Sequence, residues 1–246
     1  MKLALRPWEN VFTVVSLLLF SQGFYTVVLR GAIGGDEGDI DSAILRNSLL
    51  LIYVITFSLL GFRLRRTLAF LNTNKWLLVI VGLALFSVSW SSVPGDSFRG
   101  AVAFTGSSGF ALYLASRYTF KEQLKLMGWA FGIGLFGSFL FAFFVPAYGI
   151  MPSGSWRGIY PHKNGLGQNM VVSFLTFYFL SLSDKQHQLF FRVCCLLSIL
   201  LILLGQSVTS LISIIFIFST AQGLKLVSFK SKKRVFGILL FKKSRM

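Results

Sequence analysis

Charge is scarce in this chain. Asp, Glu, Lys and Arg make up 13% of its 246 residues, about half the ~25% of an average soluble domain. Acidic residues are the scarcest: eight, against 24 Lys and Arg, for a formal net charge of +16. There are two cysteines, Cys194 and Cys195, and two histidines, His162 and His187. Adjacent cysteines in an apolar stretch cannot build a disulfide framework, and they lack the further ligands that a metal site needs. Core packing is their default role. What the chain has in abundance is apolar: 54% hydrophobic residues, 27 Phe and a mean hydropathy of +0.72. That balance excludes a disordered tail, a collagen-like rod and a disulfide scaffold. It also argues against a water-soluble domain, because 246 residues cannot hide so much apolar surface in one core.

Other signatures are missing as well. No glycine-rich nucleotide loop follows a strand-like run. The period-2 alternation of a membrane barrel is absent. A bilayer core of ~30 Å takes about 20 mostly apolar residues per helix. Eight stretches are candidates: 10–29, 47–62, 76–91, 99–116, 126–145, 169–183, 190–204 and 209–224. The expected fold is therefore all-α, a polytopic membrane helix bundle in a single domain spanning 1–246. The short spans require tilt or local thinning. Lys2 and Arg6 precede the first span, and no small-residue cleavage site follows it. It reads as a retained signal anchor.

The basic residues then sort by side. With the N-terminus inside, nineteen of the 24 lie on the inner side, including Arg63, Arg65, Arg66, Arg117 and the tail 225–246. Arg30, Arg46, Arg99, Arg157 and Lys163 lie outside. The positive-inside rule selects this orientation, with both termini cytoplasmic. The acidic cluster Asp36, Glu37, Asp39 and Asp41 falls outside. The basic tail reads as a topology determinant that contacts anionic lipid headgroups. Nucleic acid is not an expected partner, since no base-reading module accompanies the tail. Trp8, Trp76, Trp90, Trp129 and Trp156 sit near span ends, as interfacial aromatics do. Gly128, Gly132, Gly134, Gly137 and Ser138 give the fifth span small-residue spacings suited to close helix contact.

The outlier is the long outer loop 146–168. It carries Arg157, His162 and Lys163; His187 reads as solvated in a polar inner turn. Pro161 suits the first turn of a helix. A helix starting there presents its free N–H groups and positive dipole end to the outer interface. His162, Lys163 and Asn164 fall in that turn, with Arg157 four residues ahead. Gly165 and Gly167 let a ligand or another backbone come close, and Gln168 and Asn169 carry polarity inward. The matching ligand is a phosphate or diphosphate, bound by the Arg fork and the Lys point charge. The plainer alternative is that Arg157 and Lys163 snorkel to headgroup phosphates.

The string Trp156-Arg157-Gly158-Ile159-Tyr160-Pro161-His162-Lys163-Asn164-Gly165-Leu166-Gly167 resembles the signature loop of the O-antigen ligase and exopolysaccharide polymerase family, in its exopolysaccharide-production-like branch. Two flanking stretches agree. Trp90-Ser91-Ser92-Val93-Pro94-Gly95-Asp96-Ser97-Phe98-Arg99 resembles the family's segment at an outer span end. Gly205-Gln206-Ser207-Val208-Thr209-Ser210 resembles its Ser/Thr stretch opening a later span. The resemblance covers roughly 45–224.

The resemblance implies glycosyl transfer at the outer face of the bacterial inner membrane. The donor is a saccharide on a polyprenyl diphosphate, and the acceptor is a hydroxyl on a glycan or glycolipid. Membrane lipids and other polysaccharide assembly proteins are the implied further partners. Neither metal nor other cofactor is implied. Arg157 and Lys163 are the expected diphosphate ligands, with Arg99 as a further candidate. His162 is expected either to take the acceptor's proton or to bind phosphate, and Asn164 to orient the loop or a sugar hydroxyl. Family members carry more spans and a second large outer loop, so this chain reads as C-terminally truncated. A transporter or flippase for lipid-linked or anionic solutes is the alternative, and a non-catalytic membrane scaffold is a third reading.

Overall fold

The structure is a computed structural model that describes residues 5–23 and 43–220. The acidic cluster 36–41, Arg30, the ends of the first and last expected spans and the basic tail lie outside the described residues. Among the described residues the chain is all-helical, and its one β-bridge joins Ile150 to Trp156. We number the helices α1 (Leu5–Phe20), α2 (Ala43–Gly61), α3 (Leu64–Thr73), α4 (Lys75–Phe86), α5 (Pro94–Arg117), α6 (Phe120–Phe144), α7 (Pro146–Gly149), α8 (Lys163–Ser183), α9 (Gln188–Leu204) and α10 (Val208–Thr220).

Local sequence explains most boundaries. Pro94 and Pro146 open α5 and α7 at a position where a missing N–H costs nothing. Thr119 and Glu122 form a reciprocal capping box at the start of α6, each bonding the other's backbone N–H. Polar residues therefore belong to helices that an apolar count starts too late. The expected span 126–145 begins in the structure at Phe120, 99–116 begins at Pro94, and 169–183 begins at Lys163. The helix expected from Pro161 starts two residues later, at Lys163, with His162 as its N-cap, so 163–168 of the outer loop are helix. The segment 63–75 between two expected spans contains α3, bent by 96° from the preceding helix. Thr67 is its buried anchor, bonded to Leu60 O and Arg63 O at 3.2 Å each.

By length and composition, α6 and α8 can each cross a membrane, and the bent pair α2–α3 makes a third if it counts as one span. The apolar helices Pro7–Phe20, Lys75–Trp90, α9 and α10 are shorter. Large apolar side chains stand exposed along the outside of the bundle, among them Val54, Leu83, Leu140, Leu196 and Phe216. A bilayer accommodates such a surface and water does not.

Two packed clusters hold the fold. In one, Ile52, Leu60, Phe110 and Tyr113 join α2 and α5 to α1 through Phe12 and Phe20. In the other, Leu135, Tyr160, Met170, Leu180, Cys194 and Leu201 join α6, α8 and α9 to the long loop. The glycine-rich face of α6 is a packing face, as its spacing suggests. A Cβ at Gly128 would meet Leu180 of α8 at 2.7 Å, and one at Gly134 would meet the Tyr160 hydroxyl at 2.6 Å. Both cysteines are buried and free, and the Cys195 thiol points at Phe174 O, 3.6 Å away.

Polar ties distinguish the two ends of the bundle. At one end Glu9 of α1 binds Arg63, just past α2, and Arg117, the last residue of α5. Thr13, Tyr113 and Tyr118 close a buried hydroxyl cluster beside it. At the other end Asn169 Nδ2 donates to Ser21 O at 3.1 Å, joining the start of α8 to the end of α1. So α1 runs from the Glu9 end to the loop end, whereas α2, α5 and α8 run back.

Candidate functional site

The loop after α6 is held mainly by its backbone. Arg157 N and Gly158 N both donate to Gly149 O, at 2.9 and 3.0 Å. Trp156 N donates to Leu204 O at 3.1 Å, stitching the loop to the end of α9. Met151 N donates to Ser155 O and Gly154 N to Met151 O, closing a tight turn at Gly154 with φ +79°. A second turn closes where Tyr160 N donates to Arg157 O at 3.1 Å. Gly158, at φ +60°, lies against α6, where a Cβ would strike Ser138. Only glycine meets both demands there. Trp156 wedges edge-on between Phe139 and Phe143.

This frame fixes Arg157 and delivers the chain to α8. Arg157 Nε donates to Tyr148 O at 2.6 Å, a bond that anchors the guanidinium along one edge. His162 is the N-cap of α8: its Nδ1 accepts from Asn164 N at 3.2 Å. A neutral ring with Nδ1 as acceptor carries its proton on Nε2. In this geometry His162 is a hydrogen-bond donor at Nε2. It becomes a base there only if the cap breaks or the tautomer changes. Lys163 is partly exposed and Asn164 exposed, both in the first turn. The first intrahelical bond is Leu166 N to His162 O, so the N–H groups of Lys163 and Gly165 precede the ladder. Arg157, His162, Lys163 and Asn164 thus share one loop-to-helix junction.

The structure also brings in the stretch 205–210. Ser207 Oγ bonds Asn164 Oδ1 at 3.4 Å and Ser210 Oγ at 2.9 Å. Ser155 Oγ donates to Gln206 Oε1 at 3.3 Å. A Cβ on Gly167 would strike Ser210 and Ser207. The bareness of Gly167 therefore serves the approach of α10, not of a ligand. Asn169 is likewise spent on Ser21 O and Gly165 O.

Arg99 is not part of the junction. It stands exposed near the start of α5, 3.5 Å from Asp96, on a helix that packs against α2, α3 and α4. His187 pairs with Asp184 at 3.2 Å, and this bond holds the Asp184 carboxyl below its ordinary range. The spacing of residues gave no hint of Tyr160. It is fully buried, and burial pushes its phenol well above the ordinary value. Among the described residues its hydroxyl has no well-aligned hydrogen-bond partner; the Ser21 hydroxyl that faces it donates to Leu18 O at 2.8 Å. Among the described residues no cluster of His, Cys, Asp and Glu has the makings of a metal site. No protein-family model, curated protein or solved structure matches the chain.

Proposed function

We propose that this protein is a multi-pass membrane glycosyltransferase of the O-antigen ligase or polymerase kind. In this reading the chain crosses the bacterial inner membrane eight times, with both termini cytoplasmic. It moves a saccharide from a polyprenyl diphosphate to a glycan or glycolipid hydroxyl at the outer face. The supporting observation is the junction of Arg157, His162, Lys163 and Asn164 at the end of the bundle opposite the Glu9 cluster. The direction of the helices agrees with that orientation, since Arg63 and Arg117 gather at the Glu9 end.

The chemistry follows from the charges. The bond between the anomeric carbon and the diphosphate oxygen breaks, and its electron pair stays on the diphosphate. The acceptor oxygen forms the new bond and loses its proton to the departing diphosphate or to water. Negative charge grows on the leaving group as the bond breaks. Arg157, anchored before the reaction, and Lys163 stabilise it, and the helix N–H groups add to that field. His162 donates from Nε2 to a phosphate oxygen while its Nδ1 keeps the cap. Asn164, tied to Ser207, holds the junction in register.

The test is product size analysis in cells that lack the protein and carry Arg157→Ala or His162→Ala. Accumulation of single repeat units outside the inner membrane, with loss of long polymer, supports the reading. Units trapped inside point to a flippase. Intact polymer from both variants rejects a role for this junction.

A further inference from the structure

The helices α2, α4 and α5 enclose an open groove of about 570 Å³, within the ~300–1,000 Å³ of ligand pockets. Its walls are Leu50, Val54 and Phe57 of α2, Leu85 of α4, and Val102 and Gly106 of α5. Gly106 and Gly109 let two rings of α2 lie on the backbone of α5: a Cβ at Gly106 would collide with Tyr53, and one at Gly109 with Phe57 at 2.8 Å. Three lining residues carry hydroxyls, Tyr53, Ser58 and Thr105, and the last two each donate to a carbonyl one turn back, Val54 O at 2.8 Å and Ala101 O at 2.7 Å. The lining carries no charge and is almost wholly apolar. A hydrocarbon chain finds a surface here.

Both walls end in a cation on the loop-end side. At 3.6 residues per turn, Arg46, Leu50, Val54 and Phe57 share one face of α2, and Arg99, Val102 and Gly106 share one face of α5. Arg46 and Arg99 are exposed, and each already interacts with a neighbouring residue that an incoming anion must share or displace. The Arg99–Asp96 contact is an exposed 3.5 Å pair, weak enough to yield to a stronger acceptor. Two arginines above an apolar groove complement a ligand with an anionic head and an apolar tail.

We propose that this groove is a binding site for an anionic phospholipid, with one acyl chain between α2, α4 and α5 and its phosphate between Arg46 and Arg99. The inference rests on the membrane reading of the chain and not on the glycosyl-transfer reading. A polyprenyl phosphate has the same anionic-head and apolar-tail chemistry, and competition between the two lipids separates them.

The full chain, reconstituted in phosphatidylcholine vesicles, tests this with a tracer that carries a photoactivatable acyl chain on phosphatidylglycerol or on phosphatidylcholine. The phosphatidylglycerol tracer is expected to label segments 50–58 and 102–106 several-fold more strongly. The double variant Arg46→Glu, Arg99→Glu removes that preference. Val102→Trp removes groove labelling and spares the exposed Leu140 and Leu196. Equal labelling by both tracers overturns the proposal, as does labelling that neither variant changes. Competition by a polyprenyl phosphate that an equal amount of unlabelled phosphatidylglycerol does not match overturns the choice of lipid. Polymer synthesis plays no part in this readout, so its loss or survival leaves the two proposals separately testable.

Discussion

Arg157 Nε donates to the Tyr148 carbonyl, nine residues back along the same loop, at 2.6 Å. The bond anchors one edge of the guanidinium and pre-sets the direction of the rest, which limits the entropy lost when an anion binds. Arg157→Lys keeps the charge and loses both the anchor and the fork. A charge-assisted hydrogen bond is worth about 1.5–3 kcal/mol, roughly one to two factors of ten. Transfer from a lipid-linked donor, followed in membranes, is expected to fall about 10- to 100-fold in Arg157→Lys and further in Arg157→Ala. Near-wild-type transfer by Arg157→Lys would mean that charge alone suffices there.

His162 offers a sharper discrimination because its Nδ1 is engaged by Asn164 N. Asparagine caps helices well and still presents an N–H donor. His162→Asn is therefore expected to keep most of the transfer rate, whereas His162→Ala loses the cap, about 1 kcal/mol of stability, and the donor. Equal inactivity of the two variants would assign proton transfer to the imidazole instead.

Gly154 and Gly158 separate backbone strain from crowding. Both have positive φ, but a Cβ on Gly154 meets nothing within 4 Å, whereas one on Gly158 strikes Ser138. Gly154→Ala is expected to cost about 1–2 kcal/mol from the left-handed backbone alone. Gly158→Ala adds an overpacking cost of about 1–3 kcal/mol. Thermal melting of the detergent-solubilised protein reads the difference. Equal losses would show that α6 yields to the loop.

Among the described residues Glu9 is the single carboxylate between Arg63 and Arg117, 4% exposed, and Arg63 Nη1 is buried with no hydrogen bond even so. Glu9→Gln leaves two guanidinium groups facing each other with no counter-charge. Breaking a buried pair this way costs about 3–5 kcal/mol; with both arginines partly exposed, the lower end is expected. The melting temperature should drop more than for Asp96→Asn, whose pair with Arg99 is exposed. A drop no larger than that of Asp96→Asn would make the cluster dispensable.

Helix existence was legible along most of the chain because long apolar runs leave the backbone few alternatives. The starts of α5 and α6 were not, because Asp96 and Lys121 lie inside helices that run past the apolar core, whereas Pro161 marked the start of α8 to within two residues. The amphipathic α3 was hidden for a related reason: its arginines read as a charged turn, and only the 96° bend gives it a separate course. The residues of the junction were all nameable from one string. Their constraints were not, since the anchor of Arg157 is a carbonyl and the cap of α8 is an imidazole.

Composition and spacing by themselves determined an apolar chain that is all-helical over the described residues, because burial of apolar surface and backbone pairing depend on residue type and spacing alone. Tertiary structure decided which distant segments meet. It joined Asn164 to Ser207, put Ser21 against Asn169 and set Arg99 on another part of the bundle from Arg157. Such pairings depend on how helices cross and on where a glycine lets two backbones touch, and no single stretch of sequence encodes that.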